Sequence, residues 1–347
     1  MVLGGIVTLG GLISYFSLQQ PPPPPEKIRI SNYADVNRLV ENELLASNKS
    51  AGWKRIEGDG RVARLQMYED YPQATRLMEL STRIALTDSP AQLDLAPRKG
   101  LVRVYWQGEL RLELHYRVPE EVSRKRPQVA IIMDDMGRNL AGFRNILALT
   151  LPVTPSILPQ TSYATRGARI LTGEEREFMI HLPMEPLNYP RANPGPDALL
   201  TSLDKDELRR LVRLYRERVP GAIGGNNHMG SRFTEDRQAM HVVLEELKDA
   251  GLFFVDSRTI GGSVAFDEAR RMGMKTAQRN IFLDNEENTT YIGGQLRKMV
   301  SIAEEKGTVI AICHPYPETF RALRENESWL RQQPVDYVMV SQLVQRY

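Results

Sequence analysis

Residues 128–137 read QVAIIMDDMG, an apolar run that stops on two adjacent aspartates and a glycine. Such a run fits a strand buried on both faces, and polar residues just past its end lie where α/β folds build their sites. Three other stretches repeat the pattern: FMIHLPMEP (178–186), GGNNHMGS (224–231) and AICHPYPE (311–318). The chain has five histidines, and His181, His228 and His314 fall in these stretches. That concentration is the main functional signal.

Outward from it, short apolar segments alternate with amphipathic ones from Gln128 to the C-terminus. Strands are expected at 129–133, 152–157, 178–181, 222–225, 252–255, 274–277, 308–312 and 336–340. Helices are expected between them, among others at 204–218, 235–250, 288–306 and 318–331. Alternation sustained this long means a parallel sheet, either a barrel or an open doubly wound fold, and seven or eight strands favour the barrel. No Gly-x-Gly-x-x-Gly follows the first strand, so a dinucleotide site has no support.

Residues 28–118 carry other periods. Tyr33–Ser47 and Tyr71–Leu86 have helical spacing, and 61–67 alternates like a strand. Val102, Val104 and Trp106 alternate into a Gln107-Gly108-Glu109 turn, and Leu110 to Val118 continues the alternation, which predicts a hairpin in a small α+β domain. His115 lies on its polar face and reads as a solvated strand residue. PEEVSRKRP (119–127) reads as a linker.

The first 25 residues carry no charge. Residues 1–18 are apolar or small and just long enough for a membrane anchor, and the prolines within 19–27 suit a stiff spacer. A signal-like start is the alternative. Lys+Arg number 45 against 43 Asp+Glu, a formal net charge of +2, so no basic field argues for nucleic acid. Cys313 is the only cysteine, which excludes an internal disulfide and a cysteine-rich metal site. Placed beside His314 in a strand it faces the other way and reads as a core residue. Ser231 lacks the surroundings of a nucleophile elbow.

Asp134 and Asp135 at a buried strand's mouth are costly unless a cation or a hydrogen-bond network holds them. Strand alternation allows only one onto the inner line unless the chain bends. One can then ligate a metal while the other acts as base; the plainer reading is a helix N-cap with a loop acid. His181 enters a proline-rich loop in which Glu185 is four residues on, but Pro183 and Pro186 forbid the helix that would align the two. His228 follows a Gly-Asn-rich strand end that permits close approach of backbone to a ligand. Asp256 and, less securely placed, Asp284 end further strands and are candidates to orient a histidine or substrate. His241 flanks the apolar stripe of a helix and reads as structural. A lone histidine is usually structural; three at separate strand ends beside an Asp pair suit zinc or another borderline divalent ion.

Together MDDMG, HLPMEP, NNHMGSRFT, VDSRT and CHPYPET resemble the divergent branch of the polysaccharide deacetylase superfamily, over roughly residues 127–347. The resemblance implies a distorted (β/α)7 barrel and a divalent metal, held by one Asp and two His, that serves to remove acetyl groups from N-acetylated sugars. Carried over by motif, Asp134 matches the catalytic base, Asp135 the metal-ligating Asp and His181 a metal histidine. His314 resembles the general acid, and Asp256 the acid that orients it. The family's usual second histidine is Glu185 here, and His228 is assigned the vacant ligand role. The expectation is an envelope-located, membrane-anchored periplasmic deacetylase of bacteria with zinc as its ion and carbohydrate as substrate. The alternative is a non-catalytic glycan- or protein-binding protein on the same fold.

Overall fold

A computed structural model describes residues 32–45, 52–56, 62–85, 90–120 and 125–346. The segments read as anchor and spacer lie outside the described residues. No described helix is long and apolar enough to cross a membrane.

The chain builds two sheets. The first has five strands, β1 (Trp53–Ile56), β2 (Ala63–Asp70), β3 (Ala91–Ala96), β4 (Leu101–Trp106) and β5 (Glu109–Arg117), in the order β1-β2-β5-β4-β3. Gln107 and Gly108 both have positive φ (54° and 80°), the primed two-residue turn whose twist matches a hairpin, and Trp106 pairs with Glu109 across it. Helices Tyr33–Val40 and Ala74–Ala85 cover one face, burying Val36, Val40, Leu77 and Leu80 against Val102, Val104, Leu112 and Leu114. His115 is half-buried and shares a 2.8 Å contact with Glu113 instead of standing free in solvent.

The second sheet starts at the aspartate run. Its strands are β6 (Gln128–Met136), β7 (Val153–Ile157), β8 (Met179–Met184), β9 (Gly224–Met229), β10 (Phe253–Asp256), β11 (Thr276–Gln278), β12 (Ile281–Phe282), β13 (Thr308–Cys313) and β14 (Asp336–Tyr337). They run in the order β11-β10-β9-β8-β7-β6-β13-β12, with β14 also on β6, and every pairing is parallel. The expected (β/α)7 barrel is thus a curled half-barrel. Only Arg279 and Asn280 separate β11 from β12, and a parallel pair needs a crossover of a dozen or more residues, so the sheet cannot close there. β12 is marked in the sequence only by Asp284 at the end of its run, because a strand of two residues carries no period that would set its range. The expected helix 318–331 is broken at Asn326 into Pro317–Glu325 and Glu327–Gln332.

Alternation sorts the two faces. Val129, Ile131 and Met133 of β6 pack outward with Phe143, Leu211 and Val243 of the helical layer. Ala130 and Ile132 face inward with Met179, Val255, Ile310 and Ile312. Cys313 is on the outward side and fully buried, as a core residue should be. Gly224 and Gly225 serve this packing and not a ligand: a Cβ there would meet the Phe253 ring at 2.4 Å and Leu182 at 2.9 Å.

The two sheets join at the edge where the strands begin. Arg103 Nη1 reaches Asp94 and Glu305, both at 2.9 Å, and its Nε reaches Glu113 at 2.9 Å. Lys306 Nζ closes on Asp94 at 2.8 Å and Lys99 on Glu305 at 3.2 Å. Glu305 and Lys306 end the helix Thr289–Lys306 that feeds β13, so this junction lies opposite the strand ends that carry the site.

Candidate metal and catalytic site

The aspartate pair reaches the mouth together because β6 is bulged. Met133 pairs with Pro155 and Met136 with Ile157, so β6 inserts one extra residue against β7. Asp135 absorbs the insertion at φ 55°, a left-handed conformation that is costly for a non-glycine residue and collects at functional sites. Asp134 keeps its place on the inner line with Ala130 and Ile132, and Asp135 is turned inward beside it.

The neighbouring strands supply the rest by register. His181 of β8 pairs with Asn226 of β9, and Pro183 with His228, so His181, Asn226 and His228 share the inner line. His228 Nδ1 lies 2.9 Å from Asp135 Oδ1 and 3.2 Å from His181 Nε2, and His181 Nε2 is 3.3 Å from Asp135 Oδ1. These three atoms form a triangle with edges near those of a tetrahedral ion site, where ligands at about 2.0–2.1 Å from the ion sit about 3.3 Å apart. The three residues are a possible metal-holding group, and Asp135 Oδ1 is covered from solvent yet accepts no hydrogen bond. A buried carboxylate oxygen facing two imidazole nitrogens without a donor is what a cation would complete, so the residues present fit a divalent ion.

Asn226, wholly buried, ties the cluster together. Its Oδ1 faces His181 Nδ1 at 3.1 Å and accepts from Ser156 Oγ at 2.6 Å. Its Nδ2 donates to Asp134 at 2.8 and 3.1 Å and to Ser257 Oγ at 3.1 Å. With Oδ1 turned to His181, the imidazole carries its proton on Nδ1 and offers the Nε2 lone pair to the cluster. In the sequence the Asn226-Asn227 pair stands out only as part of a permissive strand end; its signal is an amide two residues before a candidate ligand, on the same face of the strand.

Charges follow from burial and neighbours. Burial, at 2% exposure, pushes the Asp134 carboxyl above its ordinary range, and the His181 and His314 charges only partly offset this. Burial works the same way on Asp135, but the His181 and His228 imidazoles beside it overcome this and hold that carboxyl well below the usual range. Two adjacent carboxyls are thereby driven apart, the arrangement that separates a base from a ligand. Burial lowers His228. It opposes protonation of His181 too, yet Asp134 and Asp135 raise that imidazole overall.

His314, just past β13, is oriented by Asp284 and not by Asp256. Its Nδ1 lies 3.0 Å from Asp284 Oδ1, its backbone N–H donates to Asp284 Oδ2 at 2.6 Å, and Thr319 Oγ1 donates to the same oxygen at 2.8 Å. Against the cost of burial, Asp284 lifts the imidazole to about 9. Asp256 instead accepts from Arg258 N, Ser263 Oγ and Phe266 N and so fastens its own loop. The correction has a topological cause. β12 lies beside β13, so the acid after β12 is adjacent to His314, while β10 is on the far side of the sheet.

Glu185, four residues after His181, is turned away from the cluster. Its Oε2 accepts from Thr201 N and Oγ1, both at 2.7 Å, and Arg232 stands 3.6 Å from Oε1. His241 faces Glu268 at 2.8 Å, in a structural group with Arg237 and Arg271.

A curled parallel half-barrel with an Asp-His-His group and a separate Asp-held histidine at its carboxyl edge defines a protein of the polysaccharide deacetylase fold. Residues 131–344 match the family model described as divergent polysaccharide deacetylase, and the chain belongs to that family. It is 34% identical over 198 residues to the uncharacterised protein YibQ of Escherichia coli, covering 57% of this chain and 61% of that protein's length. It is 33% identical over 213 residues to an uncharacterised protein of Haemophilus influenzae, covering 61% of this chain and 74% of that one. The crystal structure of Atu2773 from Agrobacterium tumefaciens superposes with a TM-score of 0.59 at 24% identity, over 65% of this chain and 94% of that one, a likeness of fold.

Proposed function

We propose that the protein is a metal-dependent hydrolase that removes acetyl groups from an N-acetylated sugar or polysaccharide. The observation that carries this reading is the covered, hydrogen-bond-free Asp135 Oδ1 facing His181 and His228. Those three residues would hold the ion, zinc by the chemistry of an imidazole-carboxylate set. A divalent ion held there supplies Lewis acidity toward the acyl carbonyl and the attacking water.

The chain's own groups do the rest. Asp134 takes the proton of the attacking water; its raised carboxyl is a stronger base than an ordinary aspartate, and Asn226 Nδ2 fixes its direction. His314, protonated at neutral pH under the hold of Asp284, gives its proton to the leaving nitrogen. Asn226 is a positioning residue: it sets the His181 tautomer and the Asp134 carboxyl with one amide. An envelope location rests on the sequence reading of residues 1–18 and on the carbohydrate substrate class of the family.

Elemental mass spectrometry of the purified full chain, beside Asp135→Ala and His228→Ala, tests the ion site. Near one equivalent of zinc or a similar ion, lost in both variants, is expected, together with acetate release from acetylated glycans. A chain that takes up no metal on reconstitution would leave the non-catalytic glycan-binding alternative standing.

A further inference from the structure

Two arginines stand at the same strand edge and take no part in the chemistry above. Arg258 follows β10, and Arg279 lies in the two-residue link between β11 and β12. Arg279 is fastened to the site from two sides. Its Nε donates to the Ser257 carbonyl at 2.7 Å, and the Ser257 hydroxyl receives Asn226 Nδ2. Its guanidinium carbon lies 3.8 Å from the centre of the Phe282 ring, and that ring stacks on the His314 imidazole at a centroid distance of 6.2 Å and 22°. Its Nη2 donates to the Arg258 carbonyl at 2.8 Å. Arg258 holds φ 47°, kept in that left-handed conformation by Asp256 Oδ1 on its N–H, and its Nη1 donates to Gln278 Oε1 at 3.0 Å.

The charge balance of this pair sets it apart. The acceptors that the two guanidiniums engage, two backbone carbonyls and one side-chain amide, are all neutral. The carboxylates within electrostatic reach of Arg279 are Asp256 and Asp134, and both are committed elsewhere. Asp256 receives Arg258 N, Ser263 and Phe266, and Asp134 receives Asn226. Burial, aided by the repulsion of Arg258, pushes Arg279 down to about 10, still a cation at neutral pH. Arg103, by contrast, is met by three carboxylates. Arg258 in turn feels the charge of Asp267, a carboxylate already paired with Arg270 at 3.6 Å. Guanidinium is the side chain suited to forked recognition of carboxylate or phosphate, and two of them with no carboxylate hydrogen-bonded to either, beside a catalytic centre, make an anion's place.

We propose that Arg279 and Arg258 form an anionic subsite of this active site, which receives a carboxylate or phosphate carried by the sugar being deacetylated or by its neighbour in the glycan. This deepens the reading above by naming its substrate class, an acidic acetylated sugar, and rests on that reading for the position of the acetyl group. A purely structural Arg279, strutting the 257–258 turn, explains its two carbonyl bonds. It leaves Arg258 unexplained, since that exposed side chain reaches only Gln278.

Calorimetric titration of the zinc-supplemented full chain with three matched sugars tests the subsite without requiring turnover. N-acetylglucosamine is the neutral probe, N-acetylmuramic acid adds a carboxylate, and N-acetylglucosamine 6-phosphate adds a phosphate. At least one acidic sugar is expected to bind about tenfold more tightly than the neutral one, and which one identifies the anion. Arg258→Gln, a surface change that keeps the fold, and Arg279→Gln should each lose most of that preference, with Arg279→Lys retaining part of it. Equal affinity for all three sugars, binding of none of them, or a preference that survives in the Arg258→Gln/Arg279→Gln double variant would overturn the subsite. Preference without acetate release would keep the subsite and sink the deacetylase reading; acetate release without preference would do the reverse.

Discussion

The two ends of the second sheet handle charge in opposite ways. Where the strands begin, Arg103 is met by Asp94, Glu113 and Glu305, and Lys306 and Lys99 finish the balance. Against some burial those partners push Arg103 above its ordinary range and pull Asp94 below its own, so each charge is stabilised as it stands. Where the strands end, Asp135 Oδ1 accepts nothing, two imidazoles crowd it, and Arg279 has only neutral acceptors. A network that saturates its own charges joins domains. One that leaves a buried carboxylate oxygen without a donor and a guanidinium without a bonded carboxylate is built for something that arrives later.

The largest effect that would sharpen this contrast is at Asp134. Asp134→Asn should lower turnover by about 10²–10⁴-fold while the protein retains its metal, because the substitution removes the base and leaves Asp135, His181 and His228 intact. Near-normal turnover would break the base assignment.

Next is Asn226. Replacing it with Ala frees the His181 tautomer and should weaken metal affinity of the metal-free protein by about 10–100-fold, read by competition with a chromophoric chelator. Unchanged affinity would reduce Asn226 to a packing residue.

The pH profile is the third measure. His314 titrates at about 9, raised by Asp284, so a role as general acid predicts a basic limb of kcat near pH 9. Because its folded value lies above the unfolded one, its ion pair also contributes stability that is complete below about pH 6.5 and lost as pH rises through about 9. Asp284→Asn should move the basic limb down in pH. Asp256→Asn, which touches only its own loop, should leave the limb in place.

The smallest effect belongs to the other end of the sheet. Arg103→Ala should cost about 1–2 kcal/mol of stability in denaturant unfolding, between an exposed pair and a buried one, with metal content unchanged. Loss of metal in that variant would show that the two ends are not independent.

Much of this was legible in one dimension. The apolar runs located eight of the nine strands from 128 onward to within a few residues, because a strand buried on both faces must be apolar whatever its neighbours are. Polar residues at their ends marked Asp134, Asp135, His181, His228 and His314 as candidates for the same reason. The hairpin at Gln107-Gly108 was readable from alternation and a turn pair.

What the chain order could not express was adjacency. Whether Asp134 and Asp135 point together depended on a bulge that exists only because β7 pairs with two residues where β6 supplies three. Asn226 gained its role from register, which set it beside His181 across 45 residues of sequence. Asp284 displaced Asp256 as the partner of His314 because β12 and not β10 borders β13. Closure of the barrel failed on a link too short for a parallel crossover. Period and polarity are local properties that each segment carries with it. Which polar ends meet is decided by strand order and register, and those emerge only when the whole sheet is assembled.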